Sequence, residues 1–149
     1  MPAFSTLLVP VDFSAPSLNA LRLAVRLASD GGRVHVLHVG FVPGLAAWDL
    51  GAYGVPMPAS LAHIHDEVQT NRRITLEALV RAEVPDSVRC TTALREGYAP
   101  DEIVAELAAC GADAVVMGSH GLSGAARVLL GSVTERVLAV ATVPVIVTR

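Results

Sequence analysis

Two kinds of apolar pattern alternate along the chain. Short runs rich in Val, Leu and Ile lie at residues 6–11 (TLLVPV), 33–39 (RVHVLHV), 88–94, 114–117 (AVVM) and 143–148 (VPVIVT). The first and fourth are apolar on both faces, as strands buried between two layers are. Between these runs, apolar residues recur three and four positions apart, which predicts helices. The first carries Leu18, Leu21, Val25 and Ala28, with Ser14 placed to cap it, Pro16 in its first turn and Gly31-Gly32 to stop it. A long helix is predicted over 59–82, polar on its solvent side from Asp66 to Arg73. Pro100 opens another that runs to Cys110, with Asp101 and Glu102 in its first turn and Gly111 just past its end. Ser132 starts the last, to about residue 141. Residues 40–58, rich in Gly and Pro, read as an irregular loop in which Trp48 and Tyr53 supply local packing.

Strands alternating with long crossovers predict a single α/β domain: an open parallel sheet with helices on both faces. The pattern leaves the strand order open. In such sheets ligands sit beyond the carboxyl ends of the strands, where the order reverses. Two segments fall at strand ends of this kind: Pro10-Val11-Asp12 and Gly118-Ser119-His120-Gly121.

The second segment continues as GSHGLSGAARVLLGSVTE, with glycines at 118, 121, 124 and 131 and Ser132 after the last. Glycines let backbone approach a ligand closely, and exposed N–H groups in such a turn bind anions. Gly131-Ser132 lies at a helix start, where free N–H groups and the dipole favour phosphate. Ser132 and Glu135 also have the spacing of a capping box. On these residues alone, an anion site and a capped helix after a flexible loop both remain open.

Composition narrows the chemistry. The chain has 149 residues, 52% hydrophobic and 17% charged, ample for one packed core. Aromatics are 4%, so the core must be aliphatic. All eleven Lys+Arg residues are arginines. Without lysine, a Walker-type phosphate loop, a protein kinase, Schiff-base chemistry and a receiver domain drop out. Net charge is −3 and the arginines are scattered, which argues against nucleic-acid or anionic-membrane binding. No apolar run is long enough to span a bilayer and no signal peptide is apparent, so the expected compartment is cytoplasmic. Cys90 and Cys110 show no metal-binding spacing, and Cys110 reads as core filler. His35 and His38 alternate to opposite faces of a strand, and His63 and His65 do not share a helix face. No metal site is expected.

The spacing Gly118, two residues, Gly121, nine residues, Gly131-Ser132 resembles the G-2x-G-9x-G-(S/T) motif of the universal stress protein family, in its ATP-binding branch. VPVDFS, LHV, VVMGSHG, LLGSVTERV and VPVIVTR extend the resemblance over essentially the whole chain. It implies a five-stranded sheet of order 3-2-1-4-5, an adenine nucleotide alpha hydrolase-like arrangement, with strands 1 and 4 adjacent at the switch point. It further implies ATP as ligand, and because bound triphosphates usually carry one, an accompanying Mg²⁺ is expected. Asp12 would meet the ribose or adenine edge, with Pro10 and Val11 shaping the wall. Val39 would receive the adenine, and Met117 and Gly118 would border the ribose. Gly118, Gly121, Gly131, Ser132 and Val133 would meet the phosphates through backbone, with Ser132 and Thr134 adding hydroxyls. Ser119 and His120 lie within the motif. Arg127, the loop's cation, is a candidate for the terminal phosphate, and His120 for phosphate or a metal-bound water. Family members pair into homodimers through the last strand, here Val143 to Val147. The expected role is a nucleotide-dependent stress or signalling module. The alternatives are a slow ATPase, with His120 as base, and a dimeric relative that no longer binds nucleotide.

Overall fold

The computed structural model describes residues 4–28, 31–42, 48, 53–120 and 130–149. The elements run β1 (Thr6–Pro10), α1 (Ala15–Leu27), β2 (Arg33–Gly40), α2 (Ala59–Glu83), β3 (Arg89–Glu96), α3 (Ala99–Cys110), β4 (Ala114–Gly118), α4 (Ser132–Val140) and β5 (Val145–Thr148). All strand pairs are parallel, in the order β3-β2-β1-β4-β5. Fold class, strand order and helix positions agree with the sequence expectations. The last strand is shorter than expected: it starts at Val145, because Val143 and Pro144 lie before the paired stretch and only the Pro144 carbonyl joins it, accepting from Val115.

Side-chain alternation along the strands divides the core into two layers. Leu7, Val9, Val34, Val36, Ala114 and Val116 pack with α1 and with Leu76 of α2. Leu8, Leu37, Val115 and Met117 turn the other way, onto Ile103 and Leu107 of α3 and Val137 of α4. His35 and His38 fall on opposite faces, as alternation predicts. His35 bonds Glu106 of α3, while His38 packs its ring against Phe13, with centroids 4.6 Å apart.

The helix ends follow local chemistry. Ser14 caps α1, its side chain accepting from Ser17 N–H at 3.4 Å. Gly111 ends α3 with φ of 65°, a conformation that favours glycine. The capping box that the spacing of Ser132 and Glu135 left open does not form. Gly131 occupies the N-cap position, Ser132 is already the first helical residue, and no side chain caps this end. Trp48 and Tyr53 pack ring to ring with centroids 4.4 Å apart.

Candidate functional site

The site arises where β1 and β4 part. In β1, the even positions turn their backbone toward β4: the Thr6 carbonyl accepts from Asp113 N–H. The odd positions turn toward β2: Val11 N–H donates to the Leu37 carbonyl at 2.8 Å. Pro10 is an even position and has no N–H. The β1–β4 register covers only Leu7↔Ala114 and Leu8↔Val115, although β4 runs on to Gly118. A crevice therefore opens beyond Leu8 and Val115. On its far side, odd positions of β2 face β1. β1 pairing ends at Leu37, so on that side Val39 makes no backbone hydrogen bond to β1 among the described residues, and it lines the crevice.

A cavity of about 380 Å³ occupies this crevice. Pro10, Val11 and Asp12 line it from the end of β1, Val39 from β2, and Met117, Gly118 and His120 from β4 and its exit. Gly131, Ser132, Val133 and Thr134 line it from the start of α4. Eleven of the residues singled out in the sequence thus meet in one space. Gly121 and Arg127 lie outside the described residues. Ser119 does not line the cavity. It is buried and works as a fastener: its N–H donates to Thr148 O at 2.8 Å, its carbonyl accepts from Gly131 N–H at 2.6 Å, and its Oγ lies 2.9 Å from His120 Nδ1.

Two expected phosphate contacts have other duties. Thr134 Oγ1 donates to the Gly118 carbonyl at 2.8 Å and is buried, so its hydroxyl is engaged with the strand. A Cβ on Gly118 would stand 2.8 Å from both the carbonyl carbon and Cβ of Pro16 and 3.0 Å from Ser17 N. Glycine at 118 is therefore set by the close approach of α1. Gly131 is more open, with His120 Cα at 3.0 Å from a built Cβ.

Ser17, Leu37, Ala99 and Ile103 also line the cavity, and the sequence reading missed them. Two rules of spacing would have found some of them. Leu37 shares a strand face with Val39, and Ala99 opens the helix that follows β3, at the same end of the sheet.

Electrostatically the site is sparse. Among the described lining residues, Asp12 and His120 are the only titratable side chains. Asp12 Oδ1 accepts from the N–H and Oγ of Ser14, at 3.0 and 2.5 Å. The opposite wall offers the N–H groups of Ser132, Val133 and Thr134, which have no partner inside the helix, together with the positive end of its dipole. Such an arrangement has the chemistry to hold an anion at one end with little formal charge, and a planar donor–acceptor edge at the other, beside Val39.

Behind the Asp12 wall, Phe13 has φ of 65°, a backbone conformation costing about 1–3 kcal/mol for such a residue. His38 supports this turn by donating from Nδ1 to Val11 O at 2.8 Å. Burial holds the His38 imidazole below its ordinary range. The bond to Val11 opposes that shift, and Arg72 adds to it. The unfolded chain thus takes up this proton at higher pH than the folded one. The stability linked to His38 is full above the ordinary value near 6.5 and is lost as pH falls through the folded value. Thermal melts between pH 7.5 and 5.5 should show a falling transition, and His38→Asn, which keeps a donor for Val11, should flatten it. An unchanged slope in that variant would contradict the assignment.

An open parallel sheet with a lined crevice at its switch point places this chain among the open α/β domains that carry a cavity where the strand order reverses. The chain belongs to the universal stress protein family, whose sequence profile matches residues 3–149. Universal stress protein G of Escherichia coli O157:H7 is 32% identical to it over 148 residues, covering 98% of this chain and 99% of that one. The solved structure of protein MJ0577 is 25% identical, superposes with a TM-score of 0.80 and covers 97% of this chain and 94% of that one. Two further structures share the fold. A universal stress protein in complex with cAMP has 23% identity, a TM-score of 0.63 and coverage of 99% and 98%. One from Archaeoglobus fulgidus in complex with dAMP has 21% identity, a TM-score of 0.62 and full coverage of both chains. No helix among the described residues is long and apolar enough to cross a membrane.

Proposed function

We propose that the crevice binds an adenine nucleotide, with ATP as the working ligand, and that occupancy sets the conformation or partner choice of a stress-response module in the cytoplasm. One observation carries this reading. An unpaired backbone edge at Val39 and an uncapped helix start at Ser132 face the same cavity, the first suited to a base and the second to phosphates. The cAMP and dAMP complexes of the two fold relatives support the adenylate class. The G-2x-G-9x-G-S spacing supports the ATP-binding branch. In this reading Asp12 meets the ribose or the adenine edge, Met117 borders the sugar, and Gly131, Ser132 and Val133 take the phosphates. Gly121 and Arg127 are assigned to the phosphates by the motif spacing alone. A Mg²⁺ would arrive with the triphosphate. Mass spectrometry of nucleotide that copurifies with the protein tests the ligand class: adenylates are expected, and a different nucleobase would overturn it.

Copies would pair through the segment from Val143 to Val147. β5 is an edge strand, partly exposed along its length, and Leu138 and Val140 of α4 are exposed as well. Light scattering should give twice the chain mass, and a monomer at micromolar concentration would rule the pairing out.

A second reading, slow ATP hydrolysis, rests on His120. Its Nδ1 lies 2.9 Å from Ser119 Oγ, which orients the ring in the cavity wall. Phosphate release by purified protein that drops at least tenfold in His120→Ala would favour it. Release equal in both proteins would leave binding as the whole function.

A further inference from the structure

Below the floor of the crevice, on the same face of the sheet, lies a second group of side chains that the nucleotide reading does not use. His35 of β2 and Glu106 of α3 are both 8% exposed, and Cys110 follows Glu106 by one helical turn, so that both project from one face of α3. One donor atom from each of His35, Glu106 and Cys110 falls within a single sphere, all three within 4.8 Å of one another. We propose that this trio is a binding site for a thiophilic divalent transition ion, zinc by preference.

The surroundings suit that chemistry. His35 Nε2 and Glu106 Oε1 face each other at 2.7 Å. The other ring nitrogen, Nδ1, lies 2.7 Å from Thr91 Oγ1, which accepts its proton when Nε2 is the metal ligand. The second carboxylate oxygen, Oε2, is held by Arg95 Nε. Both the imidazole and the carboxylate are thus fixed from behind with one donor atom each turned inward. Across a tetrahedral zinc, ligand atoms sit roughly 3.3–3.6 Å apart. The His35–Glu106 pair must open by roughly 0.6 Å and the Cys110 sulfur must close in. Nitrogen, sulfur and oxygen together favour zinc or cobalt, whereas magnesium and calcium take oxygen ligands alone. Three protein ligands leave a fourth position for water or a further donor. Leu37, two positions after His35, and Ile103, three positions before Glu106, line the crevice, so the ion would tie β2 to α3 beneath the nucleotide without entering its cavity.

The test uses the full chain, untagged, reduced and stripped of metal. Titration with Co²⁺ should saturate at one equivalent, with a thiolate-to-cobalt charge-transfer band in the near ultraviolet that Zn²⁺ abolishes. Cys110→Ser should lose the band and Cys90→Ser should keep it. A protein with no such band, or a band that survives Cys110→Ser, would overturn the proposal and leave the trio as an ion-pair network only. A second measurement needs no variant. Zn²⁺ should slow alkylation of Cys110 at least tenfold relative to Cys90, read by peptide mass spectrometry. Equal rates with and without Zn²⁺ would also overturn it. Neither readout depends on nucleotide binding.

Discussion

Replacing Gly118 with alanine is expected to lower the melting temperature by roughly 4–8 °C. The added Cβ would stand 2.8 Å from the carbonyl carbon and Cβ of Pro16 and 3.0 Å from Ser17 N. Two of those three atoms are backbone, in the first turn of α1, so no flexible side chain can swing away. Either α1 shifts off β4 or β4 bends, and overpacking of this kind costs about 2 kcal/mol. For a domain of this size, that corresponds to the stated drop. The movement reaches the crevice as well. The Gly118 carbonyl holds Thr134 Oγ1 at 2.8 Å and thereby seats the start of α4. Nucleotide affinity should therefore fall along with stability. Differential scanning calorimetry checks the first part, and a change below about 1 °C would show that α1 has room to spare.

The second large effect separates binding from stability. Ser132→Pro should weaken ATP binding by roughly 10- to 100-fold while leaving the melting temperature unchanged or slightly higher. Ser132 is the first helical residue of α4, where proline is well tolerated because the N–H makes no intrahelical bond. Proline also restricts the residue before it to extended backbone, and Gly131 already has φ of −65° and ψ of 153°. The substitution thus deletes one N–H and one hydroxyl at the phosphate end without bending the helix. A hydrogen bond to a charged group contributes about 1.5–3 kcal/mol, which sets the expected loss. Adenosine, which carries no phosphate, should bind both proteins equally. Equal ATP affinities in the two proteins would show that phosphate does not rest on α4.

These two positions also show what could be read in the sequence and what could not. Strands and helices were legible because each element carries its own period and punctuation: Ser14 and Pro16 at one helix start, Gly111 at another end. Strand order was not, since it depends on contacts between segments far apart, and only the family resemblance supplied it. The crevice was legible at its ends, in Asp12 and the glycine spacing, while Val39 came only from the family resemblance. Glycine spacing cannot say what approaches the missing Cβ. At Gly118 the neighbour is Pro16 of α1, and nothing in the local sequence announces it. A hydroxyl in a motif likewise does not reveal which way it turns: Thr134 Oγ1 donates to the Gly118 carbonyl, and Ser119 does not line the cavity. The S-x-x-E spacing at Ser132 gave a cap that is absent, because the helix starts one residue earlier than that cap requires. The His35–Glu106 pair escaped notice because the crossing of α3 over β2 brings it together.

The most direct test of adenine-nucleotide binding in the crevice is a calorimetric titration of the nucleotide-free protein with ATP, alongside adenosine and GTP. One site per chain is expected, saturable by ATP at micromolar concentration, with adenosine weaker and GTP weaker still. Failure of ATP to bind at millimolar concentration, or GTP binding as tightly as ATP, would contradict it.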